Sequence, residues 1–127
     1  MGYQIVTNNP KVKSNYEDVI FVEGSFEEVL VEVRDFVHSG YKLINHPLGA
    51  SLRMLFSPYR SIVIGDQKQP AEVMHIETIE NSIENYRKHM EMRRPDIKNS
   101  EDYALIDSEL LKSSLDEHER NLLLLNN

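Results

Sequence analysis

Ser25-Phe26-Glu27-Glu28-Val29-Leu30-Val31-Glu32-Val33-Arg34-Asp35-Phe36-Val37-His38-Ser39-Gly40 is the stretch on which the fold turns. Phe26, Val29, Leu30, Val33, Phe36 and Val37 recur at i, i+3, i+4, i+7, i+10 and i+11, so all six lie on one stripe of a helix. Ser25 and Glu28 match a capping box, in which the hydroxyl takes the amide of the third helical residue. Gly40 supplies the residue that most easily leaves the helix, and His38 sits in the last turn, where a cation is favoured. One amphipathic helix between two apolar runs is the unit from which α/β folds are built.

Working outward, residues 18–22 (Asp-Val-Ile-Phe-Val) precede this helix as a β-prone run, and residues 41–45 follow it as another. Tyr3–Thr7 is a third run, ended by Asn8-Asn9-Pro10, and residues 10–16 form a short helix with proline in the first turn. Ser61–Gly65 (Ser-Ile-Val-Ile-Gly) is continuously apolar, as in a strand buried on both faces. The loop 46–60 between the last two strands carries Pro47, Gly49 and Pro58. From about Ala71 the period becomes helical through Ile76, Ile79, Ile83, Tyr86 and Met90, and Arg94-Pro95 ends that helix. A last helix from about Glu101 uses Tyr103, Ile106, Leu110 and Leu115. The order β-α-β-α-β-β-α-α predicts a small, mostly parallel, four-stranded open sheet covered by helices. Residues 1–95 form that α/β domain, and 96–127 are a helical C-terminal extension that packs on it or on another subunit. The apolar run 122–125 makes self-association an expectation.

Composition excludes whole classes of function. The 127 residues contain no cysteine, which removes disulfides, thiolate-bound metal and thiol nucleophiles. The net charge of −7 argues against nucleic acid as a partner. No apolar stretch approaches the roughly 20 residues of a membrane span, and the N-terminus reads as a strand where a secretory leader would be basic and then apolar. A cytoplasmic protein without cofactor or metal is expected. There is no Gly-x-Gly-x-x-Gly, no phosphate loop and no Gly-x-Ser-x-Gly elbow, and the histidines at 38, 46, 75, 89 and 118 form no metal-binding pair.

Charge placement points to a site. Residues 1–65 carry 6 basic and 7 acidic side chains, whereas 66–127 carry 8 and 14. The window 40–65 holds no acid, yet it has Lys42, His46, Arg53 and Arg60. Buried strands explain part of that window, but its polar loop would tolerate solvated acids. Ligands of open α/β sheets bind beyond the carboxyl ends of parallel strands. That rule gathers Thr7, Asn8, Asn9 and Ser25 with His46, Ser51, Arg53, Tyr59 and Arg60 at one edge, as candidate ligands of a carboxylate or phosphate. Each has a plainer reading: Asn8 and Asn9 as turn residues, Ser25 as a cap, His46 as a loop hydrogen-bonding group, Tyr59 as a packed ring.

Four motifs stand in order: Ile5-Val6-Thr7-Asn8-Asn9-Pro10, Val22-Glu23-Gly24-Ser25-Phe26, Val33-Arg34-Asp35-Phe36-Val37-His38, and His46-Pro47-Leu48 with Ser57-Pro58-Tyr59-Arg60-Ser61. Together they resemble the GrdX family, small proteins associated with the glycine, sarcosine and betaine reductase systems of amino-acid-fermenting anaerobes. The likeness covers about residues 3–93. It implies a setting and no catalytic residue: an accessory protein that binds a reductase component or a small anionic metabolite and does no redox chemistry itself. Gly49-Ala50-Ser51 and the apolar Met54-Leu55-Phe56 depart from the polar loop expected there, which suggests a lid or a contact patch. The alternative is a small enzyme with His46 as acid/base and Arg53 or Arg60 as anion clamp. A concave pocket with His46, Arg60 and a carboxylate favours the enzyme, and a flat apolar surface at 54–56 favours a binding module.

Overall fold

The computed structural model describes residues 2–49 and 52–125 as one α/β unit. Strands β1 (Tyr3–Thr7), β2 (Val19–Phe21) and β3 (Ser61–Gly65) form a three-stranded sheet in the order β2-β1-β3. β1 pairs with β2 in parallel, with Val6 opposite Ile20. It pairs with β3 antiparallel, Ile5 opposite Val63 and Val6 opposite Ile62. The helices are α1 (Pro10–Asn15), α2 (Phe26–Ser39), α3 (Val73–His89) and α4 (Ser100–Leu125).

Two expectations about the sheet are corrected. Residues 41–45 run beside β3 but contribute only an isolated bridge, Leu43 with Ile64. Two ladder bonds flank that bridge, Gly65 N to Lys42 O (2.8 Å) and Ile44 N to Val63 O (2.9 Å), and the ladder stops where Val63 N donates to the Asn45 side chain at Oδ1 (2.8 Å) in place of a backbone carbonyl. The sheet is also not mostly parallel. Between residues 45 and 61 the described residues form only a five-residue 3-10 helix, Leu52–Phe56, too short to carry the chain back across the sheet, so β3 returns antiparallel, the arrangement that needs no crossover.

Alternation along the central strands divides the core between two faces. Val6, Ile62 and Ile64 face α2 and α3, packing with Phe26, Val29, Leu30, Val33, Val37, Ile79 and Ile83. Phe26 stacks on Tyr86 with ring centroids 4.6 Å apart. Five of the six stripe positions of α2 are fully buried and Phe36 is partly buried, each aliphatic side chain contributing about 1.5–3 kcal/mol relative to exposure. Ser25 Oγ accepts from Glu28 N (3.2 Å), and Gly40 ends the helix at φ 115°. A Cβ on Gly40 would lie 1.7 Å from the backbone oxygen of Gln69, so both conformation and close approach demand glycine.

On the opposite face Ile5 and Val63 pack with Val12 of α1 and with Leu111 and Leu115 of α4. The inward stripe of α4 is therefore Asp107, Leu111 and Leu115: Leu115 faces the core as expected, and the two positions before it are shifted by one from Ile106 and Leu110. Ile106 and Leu110 are 43% and 40% exposed. Among the described residues, no helix is long and apolar enough to cross a membrane.

Candidate functional site

Topology brings the strand ends together. Residues 41–45 run antiparallel to β3, and β3 antiparallel to β1, so the ends of β1, β2 and residues 41–45 and the start of β3 share one edge. Asn8 clasps that edge. Its amide donates to the carbonyls of Gly24 (2.9 Å) and Pro58 (2.8 Å), and its Oδ1 accepts from Arg60 N (2.9 Å). Asn9 caps α1 by accepting from Lys11 N (3.0 Å), while its amide donates to Ala104 O (2.9 Å) and Asp107 Oδ2 (3.0 Å) on α4. Both asparagines thus use every amide hydrogen within the chain.

Beneath them lies a buried polar chain that the sequence did not reveal. Ser61 donates through its amide to Asp107 Oδ1 (2.9 Å) and through its hydroxyl to Asp107 Oδ2 (2.7 Å). The Ser61 hydroxyl has one proton and gives it to Asp107. Thr7 therefore donates in the 2.7 Å contact between the two hydroxyls, and it accepts from Asn9 N (3.0 Å). Thr7, Asn9, Ser61 and Asp107 are all buried. The available signal was an aspartate in line with an apolar stripe, at i, i+4 and i+8 with Leu111 and Leu115.

Arg60 is the group at this edge with charge to offer. Its side chain is only 5% exposed. Nε donates to Pro47 O (2.8 Å) and Nη2 to His46 O (2.6 Å), and among the described residues the guanidinium forms no ion pair. Burial lowers its pKa and Asp107 opposes that shift, so it stays a cation at neutral pH. Arg60 and His46 line a groove of about 460 Å³ whose far wall is α4, with Ser113, Ser114, Glu117 and His118.

His46 has a defined tautomer there. Nδ1 accepts from Leu48 N (3.1 Å), which leaves the proton of the neutral ring on Nε2. The residue is exposed, but its ring is partly packed; that burial, and then the charge of Arg60, hold it below the usual histidine pKa. The groove thus joins a buried cation, a neutral imidazole and hydroxyl donors with one carboxylate.

The other expected residues are distributed elsewhere. Tyr59 lines a second groove of about 610 Å³ with Asn9, Lys11 and Glu101. Arg53 lines a third, about 490 Å³, with Met54, Asp96 and Tyr103. Ser25 is the α2 cap, and Ser51 lies outside the described residues. Of the apolar run 54–56, Met54 and Leu55 are buried, and Phe56 lies under the Arg93 guanidinium at 5.6 Å. No group of three His, Asp or Glu among the described residues is placed to hold a metal ion. α4 divides the predicted edge into separate grooves, and sequence reasoning had not brought Glu117 and His118 to it.

Neither the curated proteins nor the solved structures searched gave a match. A family model described as GrdX-like protein matches residues 4–116, which takes in β2, β3, all of β1 but Tyr3 and most of α4, including Asp107 and Leu111. The match extends beyond the motifs of the first 93 residues, and the chain belongs to the GrdX-like protein family.

Proposed function

We propose that the chain is an accessory protein of glycine reductase systems that holds a small anionic metabolite, or an acidic group of a reductase component, in the groove between residues 45–49 and α4. The observation that carries this reading is Arg60. A guanidinium buried to this degree normally meets a carboxylate, because carbonyls alone compensate little of the lost hydration. Here two backbone carbonyls hold the fork in place, and the side chain borders open space. An anion bound there would receive a charge-assisted hydrogen bond from Arg60, a second donor from His46 Nε2, and hydroxyls from Ser113 and Ser114. Asn8 and Asn9 act by fixing the edge, and Thr7 by supporting Asn9. The absence of cysteine supports a role without thiol chemistry.

Calorimetric titration of inorganic phosphate and small carboxylates tests this. The parent protein is expected to bind at least one of them, and Arg60→Gln to weaken that binding by about tenfold or more, which corresponds to roughly 1.4 kcal/mol. No binding to the parent, or equal binding to both proteins, overturns the proposal. A second reading, a small enzyme in which His46 moves a proton, is favoured by the concave groove that joins His46, Arg60 and Glu117 and by the burial of Met54 and Leu55, which leaves no flat apolar surface at 54–56. Under that reading His46→Gln abolishes turnover of a ligand that still binds, whereas a binding protein turns nothing over.

A further inference from the structure

The groove that Arg53 lines is apolar and bordered by acids. Met54, Tyr103, Ile106 and Leu110 form its floor and walls, and Asp96 and Asp102 stand at its rim. Ile106 and Leu110 occupy the stripe of α4 turned away from the sheet. One arginine against two carboxylates leaves the groove net negative.

Beside it the same chain presents the complementary surface. Met92 is 94% exposed and is followed by Arg93 and Arg94. Arg93 is held locally, over the Phe56 ring and 3.4 Å from His89 Nδ1, while Arg94 is exposed. The segment is anchored next to the groove by Asp96 N, which donates to Phe56 O (2.7 Å). An apolar knob, preceded by Glu91 and followed by two arginines, thus adjoins an apolar groove with an acidic rim.

We propose that this face joins two copies of the chain in an isologous dimer, with Met92 of each copy seated in the groove of the other and Arg94 facing Asp102 and Asp96. A two-fold axis brings together the same patch from both subunits, so every knob-to-groove contact forms twice. Neighbouring but distinct complementary patches satisfy that condition with a single rotation. A heterologous alternative would need a partner supplying the apolar and basic chemistry that this chain already carries. The high negative charge of each copy opposes association at long range, and at about 0.15 M salt that repulsion is screened beyond roughly 8 Å while the close pairs persist.

Sedimentation equilibrium of the full chain at that salt tests the proposal. The parent is expected at twice the monomer mass. Asp102→Arg and Arg94→Glu, both exposed substitutions, each set like charges face to face and raise the dissociation constant about tenfold or more. The double variant Asp102→Arg/Arg94→Glu restores the pair with its signs exchanged and recovers the dimer. Circular dichroism on each variant confirms that the fold is kept. A parent that remains monomeric at every concentration that stays in solution overturns the proposal. So does a dimer unmoved by either single substitution, which would place the contact elsewhere, for instance at residues 122–125. The proposal stands apart from the anion reading, whose groove lies on the other side of Leu110.

Discussion

His46 and Arg60 illustrate how a pair of side chains sets the chemistry of a groove. The imidazole is partly packed and faces a cation, and both effects disfavour its protonated form. Its folded pKa therefore lies below the unfolded value, so its contribution to stability is present above about pH 6.5 and is lost as pH falls through the folded value. Arg60→Gln removes one of the two causes. Its expected effect is a higher His46 titration midpoint, closer to that of a free histidine, measured by NMR of the ring protons against pH. A midpoint that stays put or falls would mean that the charge of Arg60 does not reach the ring. The same residues show what sequence makes legible at this scale. That Asn8, His46 and Arg60 lie at one edge is legible in the order of elements, because topology sends the strand ends there. The place of Glu117 and His118 is not, because nothing in a helix some seventy residues later announces which loop it covers.

At the scale of the element, α2 was readable in full because stripe, cap and stop agree: Phe26 to Val37 inward, Ser25 before, Gly40 after. The segment 41–45 has the composition of a strand and stops after two ladder bonds for a reason invisible in composition, since the Asn45 side chain takes the Val63 amide that would continue the ladder. The apolar period of α4 points inward correctly at Leu115 but one position off at Ile106 and Leu110, because the inward stripe includes a carboxylate. Asp107 belongs there only in company with Ser61 and Asn9, and that company is tertiary. The corrected stripe separates two parts of the helix. Leu111 is 1% exposed against the sheet, whereas residues 122–125 overhang it and become progressively exposed. Leu111→Ala is expected to cost about 2–5 kcal/mol in denaturant unfolding, as for other buried leucines, while deletion of residues 122–127 leaves the midpoint nearly unchanged. Equal losses from both would mean that the overhang also packs on the domain.

The whole molecule raises the question of where the folding unit ends. The break at Arg94-Pro95 suggests an α/β domain in residues 1–95 and a helical extension that packs on it or on another subunit, and α4 packs on the sheet. One face of β1 and β3 is covered by α2 and α3, all within the first 95 residues. The other face relies on Leu111 and Leu115 to cover Ile5, Val12 and Val63. Without α4 those three fully buried side chains would meet water. The polar interior would suffer as well, because Ser61 and Asn9 would lose the carboxylate that accepts three of their hydrogen bonds. With α4 gone water takes over those donors, and what is lost is the net contribution of three hydrogen bonds to a charged acceptor, about 1.5–3 kcal/mol each. Losses of that size, added to two buried leucines, are comparable with the 5–15 kcal/mol that holds a domain of this size together. A fragment of residues 1–95 is therefore expected to lack a cooperative thermal transition and to bind a hydrophobic dye such as ANS, while the full chain unfolds in one step. A fragment that melts cooperatively with native near-ultraviolet dichroism would show instead that α2 and α3 suffice, and that α4 serves the groove around Arg60 without serving the fold.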